Sequence, residues 1–230
     1  MADAADEEYQ DDGNNVEDSE DDNDALVYCP MSSAERGAWK EQVRGMSLGT
    51  LLSPRVRSII IQLQMIREEV PEEKIVVVSR FVRFLDVVQE AMHKTAVTTP
   101  VLAVGMVTYS GHINTDERVE NLRIFNQLAS GPIILFLSAA AGGTGLNIAT
   151  ASRLIICEPQ FSPGADTQLI GRLHRLPQTR DVYVYRLVGR PCAIDTYLID
   201  NAGRKSEFER GLMVSLRRED GEPLLSTPLE

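Results

Sequence analysis

The sequence predicts an α/β protein of three layers: a doubly wound, mainly parallel sheet with helices on both faces. Two observations lead there. Short apolar, β-branched runs recur at 75–79, 104–109, 133–137, 154–157 and 182–188, and stretches of helical periodicity separate them at 81–93, 115–129, 145–150 and 163–176. Nearly continuous apolar strands are buried on both faces, and their alternation with helices is the pattern of a parallel sheet. Ligand sites in such sheets are expected where loops leave the carboxyl ends of strands.

The chain begins with an acidic segment. Residues 1–24 carry 12 Asp and Glu and no Lys or Arg, so residues 1–25 are expected to be a disordered tail. That tail accounts for the net charge of −11; the remainder holds 22 acidic against 23 basic residues and leaves room for a DNA-binding face. Residues 26–52, with the only tryptophan, Trp39, read as a partly helical lead-in to a main domain over 53–190. Ser53-Pro54 opens a helix whose apolar residues Val56, Ile59, Ile60, Leu63 and Ile66 share one face, ending near Pro71. After the sheet, 191–216 read as a helical extension and 217–230 as a tail.

Several function classes are set aside by composition. No stretch approaches the roughly 18 consecutive apolar residues of a membrane span, and no signal-peptide pattern opens the chain, so a soluble, intracellular protein without a membrane partner is expected. Cys29, Cys157 and Cys192 lie far apart and suggest neither disulfide nor zinc site. His93 and His112 have no partner pattern, and no metal site is expected.

Two segments carry chemistry. Residues 137–147, Leu-Ser-Ala-Ala-Ala-Gly-Gly-Thr-Gly-Leu-Asn, leave a strand through three glycines towards a helix. Successive amides at such a turn form an anion-binding concavity, which makes Gly142, Gly143, Gly145 and Asn147 candidate phosphate ligands. A plain tight turn is the alternative, and with no Gly-Lys-Ser/Thr this is not a Walker A loop. Residues 168–178, Gln-Leu-Ile-Gly-Arg-Leu-His-Arg-Leu-Pro-Gln, read as a helix started by Ser162 and Pro163. There Arg172 and Arg175 are expected to share a face on which two guanidinium groups could meet one anion, with a solvated basic face as the alternative. His174 is read as a packing or hydrogen-bonding residue rather than a general base.

Taken in order, these segments resemble the C-terminal helicase lobe of the Swi/Snf branch of superfamily-two ATPases, over about 53–210. Residues 74–79 resemble the fourth helicase motif, and Tyr109-Ser110-Gly111 with Arg118 and Phe125-Asn126 resemble the next block. Residues 138–147 and 168–178 resemble motifs V and VI, and the strand at 182–188 with Ile194 to Tyr197 and Lys205 fits the strand and brace-like helix that follow. The resemblance implies a RecA-like fold in which ATP lies between two lobes, reached from this side by Arg172 and Arg175, with Gln168 aligning the γ-phosphate and water. It also implies that Ser79, Arg80, Gly111, Ser138 and Thr144 line the backbone of double-stranded DNA. A nuclear protein of DNA repair or chromatin remodelling, acting on chromatin, is the family expectation.

Four places depart from the family pattern: Arg80, Glu158, residues 160–162 and Pro177. The larger departure is the lack of a P-loop lysine and of a Walker B Asp-Glu pair. ATP and magnesium are therefore expected only together with a first RecA-like lobe, in cis or in trans, and the chain alone is expected to be inactive. A non-catalytic chromatin- or DNA-binding module derived from that lobe is the competing reading, and an unrelated α/β enzyme with a phosphate loop is a third.

Overall fold

In the computed structural model, the described residues are 32–127, 133–142, 146–160, 163–189 and 192–215. The expected acidic tail at 1–25 and the C-terminal tail at 217–230 lie outside them.

Five strands form one sheet: β1 (Lys74–Ser79), β2 (Met106–Tyr109), β3 (Ile134–Ser138), β4 (Ala151–Ile156) and β5 (Tyr183–Arg186). Their order is β2-β3-β1-β4-β5, and every neighbouring pair is parallel. The sheet is thus the expected parallel one. Strand residues alternate between two cores. Ile75, Val77, Ile134, Phe136 and Ile155 face one, whereas Val76, Val78, Leu135, Leu137, Leu154 and Ile156 face the other. This two-residue period is that of a strand buried on both sides.

The first core is covered by α3 (Pro54–Glu69) and α4 (Val82–Ala96). Ser53 caps α3 by accepting the Val56 amide, Pro54 fills its first turn, and Val56, Ile59, Ile60, Leu63 and Ile66 are all buried. The second core is covered by α5 (Thr115–Phe125), through Leu122 and Phe125, and by α6 (Pro163–Leu173), through Leu169, Ile170 and Leu173. Helices on both faces complete the three layers.

Two further helices precede α3. The first, α1 (Ser33–Gly45), begins with a capping box in which Ser32 accepts the Glu35 amide and the Glu35 carboxylate accepts from Ser32; α2 (Leu48–Leu51) follows. Val43 and Leu51 enter the first core. On α4, Asp86 accepts from the Arg36 guanidinium and from Trp39 Nε1, each at 3.1 Å, and the Arg83 guanidinium lies 5.6 Å from the centre of the Trp39 ring. Burial pushes the Asp86 carboxyl above its ordinary range, against the pull of Arg36 and Lys40.

Two elements differ from expectation. Residues 146–150 form loop and turn, not a helix. Leu146, Ile148 and Ala149 are all buried, and Asn147 Oδ1 takes the Ala149 amide at 3.2 Å, a local bond that competes with helix. The helix expected over 163–176 stops at Leu173. Pro177 accounts for this: were the helix to continue, its ring would collide with the carbonyl four residues earlier, that of Leu173.

The last helix, α7 (Ala193–Ser215), is tied to α3 by the ion pair of Asp195 with Arg55. Arg55 donates to Asp195 at 2.6 Å and to the Cys157 carbonyl at 2.7 Å, and Asp195 also accepts the Gly189 amide at 2.6 Å. These donors hold the Asp195 carboxyl below its usual range despite the cost of burial. Among the described residues no helix is long and apolar enough to cross a membrane. Arg55→Ala leaves Asp195 buried without its cation, and is expected to cost about 2 kcal/mol and to reduce helical signal from α7. Urea unfolding with circular dichroism checks this; unchanged stability would remove the pair from any structural role.

Candidate functional site

From β1 the chain crosses through α4 to β2 on one side of the sheet, and from β4 it crosses through α6 to β5 on the other. The carboxyl ends of β1 and β4 therefore flank a topological switch point, where ligands of such sheets gather. Three chain segments meet there. Ser79 and Ser138 are register partners at the ends of β1 and β3, and Glu158 follows β4.

Glu158 organises this end of the sheet. Its Oε1 accepts the Ser79 hydroxyl at 3.1 Å and the Arg80 amide at 2.6 Å, while Ser79 Oγ accepts the Phe81 amide at 3.0 Å. Burial raises the Glu158 carboxyl above its ordinary range; the two hydrogen bonds and the nearby Arg80 and Arg55 cations oppose the rise without cancelling it. A cavity of about 440 Å³ opens beside it, lined among others by Arg55, Arg80, Phe81, Phe84 and Leu198. The Arg80 guanidinium rests 5.8 Å from the centre of the Phe81 ring, and its buried Nε has no partner among the described residues.

Ser79 and Ser138 are buried, at 0% and 2% exposure, and the Ser79 hydroxyl is bonded to Glu158. Arg80 is partly exposed at the switch point and Gly111 is exposed in the turn after β2. Gly143, Thr144 and Gly145 lie outside the described residues; Gly142 ends the short 3-10 turn Ala140–Gly142.

The two arginines are not placed alike. Arg172 is in the last turn of α6 and partly buried, with its pKa lowered by burial and raised slightly in return by the nearby Tyr109 phenol. Arg118 also approaches Tyr109, its guanidinium 5.8 Å from the ring centre. Arg175 lies beyond the end of α6 and is exposed, so the shared helix face expected for the pair does not exist. Gln168 is exposed on α6, and His174 is exposed rather than packed.

Asn147 is exposed, and the stretch behind it is held from two sides. Asn126 Nδ2 donates to the Asn147 carbonyl at 3.1 Å, and Asn126 Oδ1 accepts the Thr150 hydroxyl at 2.8 Å. Gln178 Nε2 donates to the carbonyls of Ala149 and Ala151, both at 2.8 Å, and the Arg180 guanidinium donates to that of Thr150 at 2.7 Å. The roles of Glu158, Arg55 and Gln178 were not read from the sequence. Gln178 closes a motif-like run, which is a weak signal, whereas nothing local marks Arg55, whose partners are 102 and 140 residues away.

A parallel RecA-like sheet with a glycine-rich sequence after β3 and an arginine-bearing helix after β4 fits a second-lobe helicase domain. Comparison with known proteins agrees: the family model described as "Helicase conserved C-terminal domain" matches residues 56–177, and the chain belongs to that family. Relatives place it on the Swi/Snf branch. It is 32% identical to "DNA repair protein RAD5" of Candida albicans over 158 residues, 68% of this chain and 14% of that protein. It is 28% identical to "Helicase-like transcription factor" of Homo sapiens over 191 residues, 82% of this chain and 18% of that protein. A crystal structure of the C-terminal part of the Fun30 ATPase domain is similar at a TM-score of 0.57 and 25% identity, covering 66% of this chain and 46% of that one. The chain thus spans less than a fifth of the length of these two curated relatives.

Because the folded state holds the Glu158 proton more tightly than the unfolded state, stability falls as pH rises from the ordinary carboxyl range through the folded value. Glu158→Gln keeps an oxygen for Ser79 and the Arg80 amide while removing the charge. It is expected to match the parent at about pH 4 and to exceed it at about pH 8, as urea unfolding at both values reads. A variant weaker than the parent at the higher pH would mean that Arg80 and Arg55 outweigh burial.

Proposed function

We propose that this chain is the ATP-sensing and DNA-tracking second lobe of a Swi/Snf-type DNA-dependent ATPase. The match to the helicase family over 56–177, which takes in β1 to β4, the glycine-rich segment and α6, is the observation that carries the reading. The names of the relatives, a DNA repair protein and an ATPase domain, agree with DNA as partner and ATP hydrolysis as the reaction of the whole enzyme.

In this reading Arg172 and Arg175 approach ATP held by a first lobe, and Gln168 orients the γ-phosphate and attacking water. Guanidinium groups suit this work because charge grows on the phosphoryl oxygens as the bond breaks. The unequal burial of the two arginines divides their labour. Arg172 is desolvated and poised, and Arg175 swings from an exposed bend when the lobes close. Gly142, Gly143, Gly145 and Asn147 offer backbone and amide donors to phosphate. Arg80, Gly111 and Thr144 follow the backbone of duplex DNA, with Ser79 and Ser138 shaping the strand ends beneath them.

Magnesium and the triphosphate belong to the first lobe. This sequence has no Gly-Lys-Ser/Thr loop. The phosphate contacts give little sequence preference, as expected of a translocase on chromatin or repair sites in the nucleus.

Adding excess first lobe from a Swi/Snf-type relative is expected to produce duplex-stimulated ATP hydrolysis. Arg172→Ala and Arg175→Ala should each lower its kcat by at least about a hundredfold. A complementing lobe that docks without restoring hydrolysis, or arginine variants with unchanged kcat, would count against the finger role and for a non-catalytic module.

A further inference from the structure

We infer that Gln178 is a positioning residue that sets Arg175 by reference to the exit of the glycine loop, so that the two phosphate-facing segments move as one. The inference rests on the roles proposed above for those segments. Its structural ground is separate from them.

The exit of the loop, residues 147–151, presents a run of carbonyls where β4 begins. Four of them, those of Asn147, Ala149, Thr150 and Ala151, are each taken by a side chain: Asn126, Gln178, Arg180 and Gln178 respectively. Gln178 alone supplies two of the four, one from each N–H of its amide. The amide oxygen of Gln178 accepts the Arg180 backbone N–H at 3.1 Å, which fixes the orientation of the group. Both polar atoms of its side chain are therefore committed to one geometry.

The same residue is bound to the arginine. Its backbone N–H donates to the Arg175 carbonyl at 2.7 Å, closing a turn just beyond α6. Arg175 itself is outside the helix and exposed, so neither the helical ladder nor packing fixes it. A continuous path of hydrogen bonds thus runs from the Arg175 carbonyl through Gln178 to the carbonyls on either side of Thr150. Apolar anchoring on the other side of the loop, through buried Leu146 and Ile148, leaves the carbonyl side to these donors. A cavity of about 510 Å³ lined by Asn126, Asn147, Thr150, Pro177, Gln178 and Arg180 among others lies there, so side-chain packing does not hold the junction on that side.

The consequence is mechanical. Displacement of the loop exit by a bound phosphate must shift Gln178, and with it the carbonyl of Arg175. Asn126, the C-cap of α5, holds the loop exit but among the described residues makes no bond to the Arg175 turn, which makes it the natural comparator.

Hydrogen exchange on the full chain tests this in two arms. Without ligand, Gln178→Ala is expected to speed exchange about tenfold in both 146–151 and 174–178, leaving β1 and β3 unchanged. Asn126→Ala should speed only 146–151. Gln178→Glu, which keeps the shape but cannot donate, should behave as Gln178→Ala. If exchange in Gln178→Ala rises in one segment alone, or rises equally across the sheet, the coupling is wrong. In the second arm a short duplex DNA is added. Protection of 146–151 and 174–178 together in the parent, with protection of 174–178 lost in Gln178→Ala, supports transmission. Joint protection that survives in Gln178→Ala, or protection of the loop alone in the parent, overturns it. A parent chain that binds no duplex would defeat the DNA reading of the site, and the first arm would still decide the coupling.

Discussion

Everything at this site hangs on the burial of one strand from both sides. The β1 residues Ile75, Val76, Val77 and Val78 are each wholly buried, paired in parallel with β3 on one flank and β4 on the other. A strand so placed has no freedom to slip, because a shift by one residue would exchange the two cores. Its end is consequently a fixed point. Ser79, Ser138 and Glu158 are delivered to it by three separate parallel segments.

That fixed point is polar in an otherwise apolar interior, and its chemistry follows from the cost of burial. A carboxyl at Glu158 can persist there only because a hydroxyl and an amide point at one of its oxygens and two guanidinium groups lie close. Asp195 solves the same problem in the opposite direction. With an arginine at 2.6 Å and a backbone amide at the same distance it keeps its charge, and the charge holds α7. Two acids a short way apart thus serve different ends, one shaping the strand termini and one clasping a helix.

Much of this was legible in the sequence, and what was not has definite physical reasons. All five strands were visible as apolar runs: β1, β3 and β4 are buried throughout, and such a strand tolerates little else, whereas the partly exposed β2 and β5 show through β-branched and aromatic residues. Helix α3 was visible through its cap and stripe, which are local signals. The misread helix at 145–150 is a stretch where buried residues fall close together without regular spacing, and where Asn147 bonds its own backbone. The supposed shared face of Arg172 and Arg175 failed because the periodicity of 163–176 continues past the point where Pro177 forbids helix. The contact of Ser79 with Glu158 spans 79 residues and left no local signal. Long-range partners such as Arg55 with Asp195 leave no trace in local pattern at all.

The docking of α1 bears on where this domain can be cut. Asp86 sits beneath Arg36 and Trp39, two residues that precede the Swi/Snf-like region by more than a dozen positions. A fragment opened at Ser53 would strip away both the guanidinium and the indole, stranding a carboxylate against the half-buried flank of α4. The seemingly dispensable approach to the domain is in effect its first wall, and the boundary drawn by helicase motifs alone falls inside the folded body.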